Sequence, residues 1–138
     1  MKYLLDTNVL SEVRKPLGDA HVKRCISSMP ARDLYISVLT LGEVRRGIGL
    51  LERRDRAQAE TYEAWLVTVL RDYEDRILPV DAEAADEWGR KNVPDRIPIV
   101  DGLIAATARV RNMTFVTRNT SDVAGTGVRL LNPFDRSS

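Results

Sequence analysis

At 138 residues and 15.5 kDa the chain fits a single domain over 1–138, and 43% hydrophobic with 30% charged residues argues against a disordered or fibrous architecture. A single cysteine, Cys25, and a single histidine, His21, exclude an internal disulfide, a zinc knuckle and a histidine-built cluster, so any metal would be held by oxygen. The formal net charge of +1, from 21 basic and 20 acidic residues, sets up no global field that announces nucleic acid or membrane.

Lys2 to Leu5 reads as a short buried strand that stops at the polar Asp6-Thr7-Asn8. The same acid cuts the apolar start too early for a signal-peptide core, and no stretch approaches the roughly 18 to 20 apolar residues of a membrane span, so a cytosolic protein with no membrane partner is expected. Val9 to Arg14 predicts a short helix ended by Lys15-Pro16, and a second helix follows over residues 19 to 28. Leu34 to Ser37 suits a second strand, with Thr40 expected to cap a helix carrying Leu41, Glu43, Val44, Ile48 and Leu51. Over 54 to 71 the residues Tyr62, Trp65, Leu66, Val69 and Leu70 fall on one helical face, a stripe expected to be buried in the core or against another subunit. Ile77 to Val80 predicts a brief strand, and Asp81 caps the helix that opens Ala82-Glu83-Ala84. After a loop between Pro94 and Pro98, the small, apolar run from Ile99 to Ala108 predicts a helix packed tightly on a sheet, with Asp101 in its first turn. Residues 113 to 117 and 128 to 131 complete the strands on either side of a polar loop at 118 to 127. Strands alternating with helices imply a mostly parallel sheet of about five strands covered on both faces, an α/β/α sandwich.

Parallel sheets bind ligands beyond the carboxyl ends of their strands, and the residues expected there are disproportionately acidic. Asp6 follows the first strand, Glu43 lies in the helix after the second, Asp101 opens the helix that feeds the fourth, and Asp122 follows that fourth strand. Each has an ordinary alternative: Asp6 as a helix cap, Asp101 as a complement to its helix dipole, Asp122 as a turn former. Glu43 sits near an apolar face, where an unpaired carboxylate is costly, and so demands a partner. Clustered carboxylates repel one another unless a divalent cation supplies the missing charge, and oxygen-only ligands point to Mg²⁺ or Mn²⁺. The four acids are therefore expected to meet in one pocket, with Thr7, Ser37, Thr117 and Asn119 orienting carboxylates or water.

Leu4-Leu5-Asp6-Thr7-Asn8-Val9-Leu10-Ser11, Leu41-Gly42-Glu43-Val44 with Gly47, Val100-Asp101-Gly102-Leu103-Ile104-Ala105-Ala106-Thr107-Ala108, and Val116-Thr117-Arg118-Asn119 with Asp122 together resemble the PIN-domain ribonucleases, and more narrowly the VapC and FitB type of toxin from bacterial toxin–antitoxin pairs. The resemblance runs in order along nearly the whole chain. It implies an α/β/α sandwich, Mg²⁺ or Mn²⁺ at Asp6, Glu43, Asp101 and Asp122, hydrolysis of RNA phosphodiester bonds, and Thr7 and Asn119 steadying the carboxylates. It also implies homodimerisation and a small antitoxin that blocks the pocket and binds DNA, so that DNA is met only through the partner.

Arg118, in the loop after the fourth strand, is a candidate for touching substrate, as are Arg45 and Arg46 in the arginine cluster that continues through Arg53, Arg54 and Arg56. The ordinary alternative is a solvated helix face with surface ion pairs. From a different class of function, a PIN-like module that binds RNA or protein without cutting would share the scaffold, although intact acids at all four positions favour the enzyme.

Overall fold

The computed structural model describes residues 1–136 of the chain. Its strands are β1 (Tyr3–Leu5), β2 (Leu34–Ser37), β3 (Ile77–Leu78), β4 (Thr114–Val116) and β5 (Arg129–Leu131). They form one sheet in the order β3-β2-β1-β4-β5, and every pairing is parallel. Helices fill each crossover: α1 (Thr7–Arg14) and α2 (Ala20–Ser27) after β1, α3 (Val38–Glu52) and α4 (Arg56–Asp72) after β2, α5 (Ala82–Lys91) and α6 (Ile99–Val110) after β3, and α7 (Thr120–Val123) after β4.

Alternation along the strands divides the core into two layers. Leu5, Ile36 and Val116 point to one face, where Val9 and Leu10 of α1, Val22 and Ile26 of α2 and Val69 of α4 cover them. Leu4 and Phe115 point to the other, against Ile104, Ala105 and Ala108 of α6. The alanines of α6 let its backbone approach the sheet closely. Leu4 and Phe115 are fully buried, and each such side chain contributes roughly 1.5–3 kcal/mol. A third cluster, Val44, Ile48, Ala59 and Leu66, closes α3 and α4 into a hairpin.

Several expectations change in detail. Thr40 is not the cap of α3: Ser37 accepts the Leu39 N–H at 3.0 Å, and Thr40 lies fully buried within the helix. The fourth helix starts at Arg56 because Asp55 caps it, accepting the Gln58 N–H at 3.1 Å. On that helix Leu66 and Val69 are buried and Tyr62 and Trp65 half-buried, but Leu70 is 41% exposed, because the stripe is wider than the layer that covers it. Pro79, which has no N–H to donate, limits β3 to two residues. The predicted loop at 118 to 127 instead holds α7 and a short 3₁₀ turn before Gly127, whose φ of 78° is the left-handed turn into β5.

Candidate active site

The strand order reverses direction at β1: the chain runs outward through β2 and β3, then returns to place β4 on β1's other side. Such a switch point opens a crevice at the carboxyl ends of the two central strands. Asp6 and Thr117, the residues immediately after β1 and β4, face each other there. Thr117 Oγ1 donates to Asp6 Oδ2 at 2.6 Å, and the two residues are 0% and 3% exposed respectively.

Asp6 is also the N-cap of α1, with Oδ1 accepting the Thr7 N–H at 2.8 Å. The capping role is therefore real, but it engages only one carboxylate oxygen. The second is pinned across the crevice by a buried hydroxyl, which no cap requires. Burial pushes the Asp6 carboxyl above its ordinary pKa, the bonds from Thr117 and Thr7 act against this, and the charge of Glu43 adds to the rise.

Glu43 is exposed, contrary to the apolar setting its neighbours suggest, because it lies on the solvent edge of α3 beside the buried Val44. Its partner is Thr7, whose hydroxyl donates to Glu43 Oε1 at 2.6 Å and also touches Thr40 Oγ1 at 3.1 Å. One residue, Thr7, thus links both acids, its backbone holding Asp6 and its side chain Glu43.

Asp101 is half-buried in the first turn of α6, where the helix dipole favours its charge. Burial nonetheless raises its pKa, with Asp6 the next cause; the bond from Asn119 lowers it and Asp122 raises it again. Asn119 Nδ2 reaches Asp101 Oδ2 at 3.5 Å, while the Asn119 N–H donates to Thr117 Oγ1 at 3.0 Å. Next to Asp101, Gly102 admits the Trp88 indole of α5: a Cβ there would stand 3.1 Å from Trp88 Cδ1. Asp122 is exposed in the first turn of α7.

The acids are therefore strung along a path of bridging groups, Glu43–Thr7–Asp6–Thr117–Asn119–Asp101, with Asp122 beyond. Among the described residues no three of them draw together tightly enough to form a ready-made cage for an ion. Like charges separate, and the interposed hydroxyls and amide hold them at that spacing.

The arginines divide. Arg118 is exposed, and its guanidinium stacks on Phe134 at 4.4 Å from the ring centroid, while its N–H faces Asn8 Oδ1 at 3.4 Å. Arg45 forks onto Glu63 of α4 and is so occupied; Arg46 is exposed on α3. Sequence reasoning missed Thr40 and Asn8 as supports of the site. Thr40, one turn before Glu43 on the same helix, carried a spacing signal for this; Phe134, which comes from the far end of the chain, carried none.

The model of the PIN domain family matches residues 3–123, most of the chain. This chain is a member of the PIN domain family. Toxin FitB of Neisseria gonorrhoeae is 32% identical to the PIN protein over 95% of this chain and 97% of its own length. VapC ribonuclease Y4jK of Sinorhizobium fredii is 31% identical over 96% and 97%. The fold overlays on the structure of FitAB bound to an IR36 DNA fragment with a TM-score of 0.86, at 32% identity and 96% coverage of both chains.

Proposed function

We propose that this PIN domain is a Mg²⁺- or Mn²⁺-dependent endoribonuclease that acts as the toxin of a bacterial toxin–antitoxin pair. The observation that carries the proposal is the double hold on Asp6: a buried carboxylate, fixed at the switch point by Thr117 and Thr7 and coupled to Glu43 and Asp101, is costly to maintain for capping alone. The donors are all oxygens, which suits a hard divalent cation, and Asp6, Glu43 and Asp101 would hold it with Asp122 at the edge. A cation held there would lower the pKa of a water and offset charge on the phosphoryl oxygens.

The chain's own groups do the positioning. Thr117 and Thr7 fix the two Asp6 oxygens, Asn119 turns Asp101, and Arg118, stiffened by Phe134, presents a fork suited to a phosphate. A small cognate antitoxin is the proposed inhibitor, with DNA reached through it, in keeping with the similarity to Toxin FitB and to FitAB on DNA. Self-association as a homodimer or within a larger toxin–antitoxin assembly belongs to the same proposal. Among the described residues no helix is long and apolar enough to cross a membrane, and the cytosol is the proposed place of action.

A module that binds RNA or protein without cutting is the alternative against which the nuclease reading is tested. Purified protein, freed of any antitoxin and incubated with a mixed RNA pool, separates the two. Cleavage is expected with Mg²⁺ or Mn²⁺, to vanish in EDTA, to fall to little with Ca²⁺, whose looser shell orients water poorly, and to drop roughly 100-fold or more in Asp6→Asn. Equal cleavage by both proteins, or cleavage undiminished in EDTA, would refute the carboxylate–metal reading.

A further inference from the structure

Beside the carboxylates lies a cleft of about 350 Å³, walled by α1, α3 and α4, with Thr7 and Glu43 at one end. Its walls include Val44, Leu51, Tyr62 and Trp65, and its polar groups are Ser11, Gln58 and Arg54. Tyr62 and Trp65 meet edge to face with centroids 6.1 Å apart, and the Arg14 guanidinium stacks over Tyr62 at 4.2 Å while donating to its hydroxyl at 2.9 Å. The rings are thus fixed before any ligand arrives, which lowers the ordering cost of binding. Gly47, one turn beyond Glu43 on the same helix, lines this cleft, and a Cβ there would meet nothing within 4 Å.

The charge around the cleft is mixed, with the exposed Glu43, Glu52 and Asp55 set among arginines that can meet phosphates. Arg45 is taken by Glu63, but Arg46, Arg53 and Arg54 on α3 and its exit are exposed. A slot with two aromatic rings in its wall, the Glu43 carboxylate in its lining and guanidinium groups beside it offers what a single RNA strand requires: an apolar surface for a base, hydrogen-bonding groups for its edge, and cations for the phosphates next to it. We propose that this cleft receives a nucleobase flanking the scissile phosphate, with Tyr62 and Trp65 as its apolar wall, Ser11 and Gln58 reading its edge and Arg54 meeting the next phosphate. The inference rests on the ribonuclease reading of the carboxylates and adds the source of nucleotide preference. It commits the substrate to unpaired RNA, because a base held in a duplex stack cannot enter.

Gly47→Leu fills the cleft, and Gly49→Leu, at an exposed helical position that does not line it and where a Cβ also meets nothing within 4 Å, is the control. Binding of fluorescein-labelled decamers of A, C, G and U is measured by anisotropy in EDTA, so that the readout does not depend on cleavage; cleavage of the same decamers in Mn²⁺ is measured in parallel. Wild type and Gly49→Leu are expected to bind one homopolymer more tightly than the rest, and Gly47→Leu to lose roughly 5- to 100-fold for that decamer and with it the preference. Equal binding of all four decamers by Gly47→Leu and wild type would overturn the proposal, and would leave the cleft to an apolar side chain of a protein partner. Failure of the ribonuclease reading shows separately, as absence of cleavage by wild type with every metal.

Discussion

Thr117→Val removes one oxygen from the middle of the site and leaves the shape of the side chain almost unchanged. The hydroxyl is fully buried, donates to Asp6 Oδ2 at 2.6 Å and accepts the Asn119 N–H at 3.0 Å, so the substitution deletes a bond to a charged acceptor and deprives a donor of its partner. A hydrogen bond to a charged group contributes about 1.5–3 kcal/mol, and the added methyl offsets part of the loss at Asn119. A net cost of about 2–3 kcal/mol at neutral pH lowers Tm by roughly 5–10 °C in a domain of this size. The assay is thermal and urea unfolding in EDTA of wild type, Thr117→Val, Asp6→Asn and the double variant. In the Asp6→Asn background the same change should cost only about 1 kcal/mol, because the acceptor is neutral, leaving a coupling of about 1–2 kcal/mol. The penalty should also shrink as pH falls through the folded pKa of Asp6, since a protonated carboxyl no longer draws a charge-assisted bond. A Thr117→Val protein within about 0.5 kcal/mol of wild type, or an equal cost in both backgrounds, would refute the account of how Asp6 is held.

Asp6 and Asp101 both bind protons more tightly folded than unfolded, so the stability they contribute in EDTA should fall as pH rises from their ordinary value of 3.8 through their raised folded values and stay level above, while Glu12 and Asp19, held low by their hydrogen bonds, add stability with rising pH only up to their ordinary values. Asp6→Asn should flatten that slope and raise Tm at pH 7; a Tm unchanged or lowered there, measured by calorimetry, would contradict it. Thr7→Val frees Glu43 while keeping the backbone bond to Asp6, and should cut cleavage roughly tenfold or more; because it also takes a partner from the buried Thr40 hydroxyl, it should cost about 1–3 kcal/mol of stability, read as a lowered Tm. Phe134→Leu removes the stacking platform of Arg118; KM for RNA should rise a few-fold at unchanged kcat, and Phe134→Tyr should restore it.

The chain itself made much of the architecture legible. Short apolar runs ended by Asp, Ser or Thr, alternating with amphipathic stretches, could only be buried parallel strands under two helical layers, and the acids fell at strand ends because that is where a buried strand meets solvent. Asp6 was visible for this reason, and Asp101 through its place in the first turn of the small, apolar helix α6, although local spacing left each with an ordinary alternative. Thr117 was expected among the groups that orient the acids, but which acid it holds depends on which strands are neighbours. The order β3-β2-β1-β4-β5 sets Thr117 against Asp6, 111 residues away, and so turns a helix cap into a clamped carboxylate. Packing of α3 against α4 likewise decided that Arg45 is spent on Glu63 and that Leu70 stays exposed, and packing of α3 against α1 decided that Glu43 finds its partner in Thr7. Periodicity reports which side of an element is apolar, since that is a property of adjacent residues. Which polar group stands across a crevice is settled by the topology of the sheet, and no spacing along the chain encodes that distance.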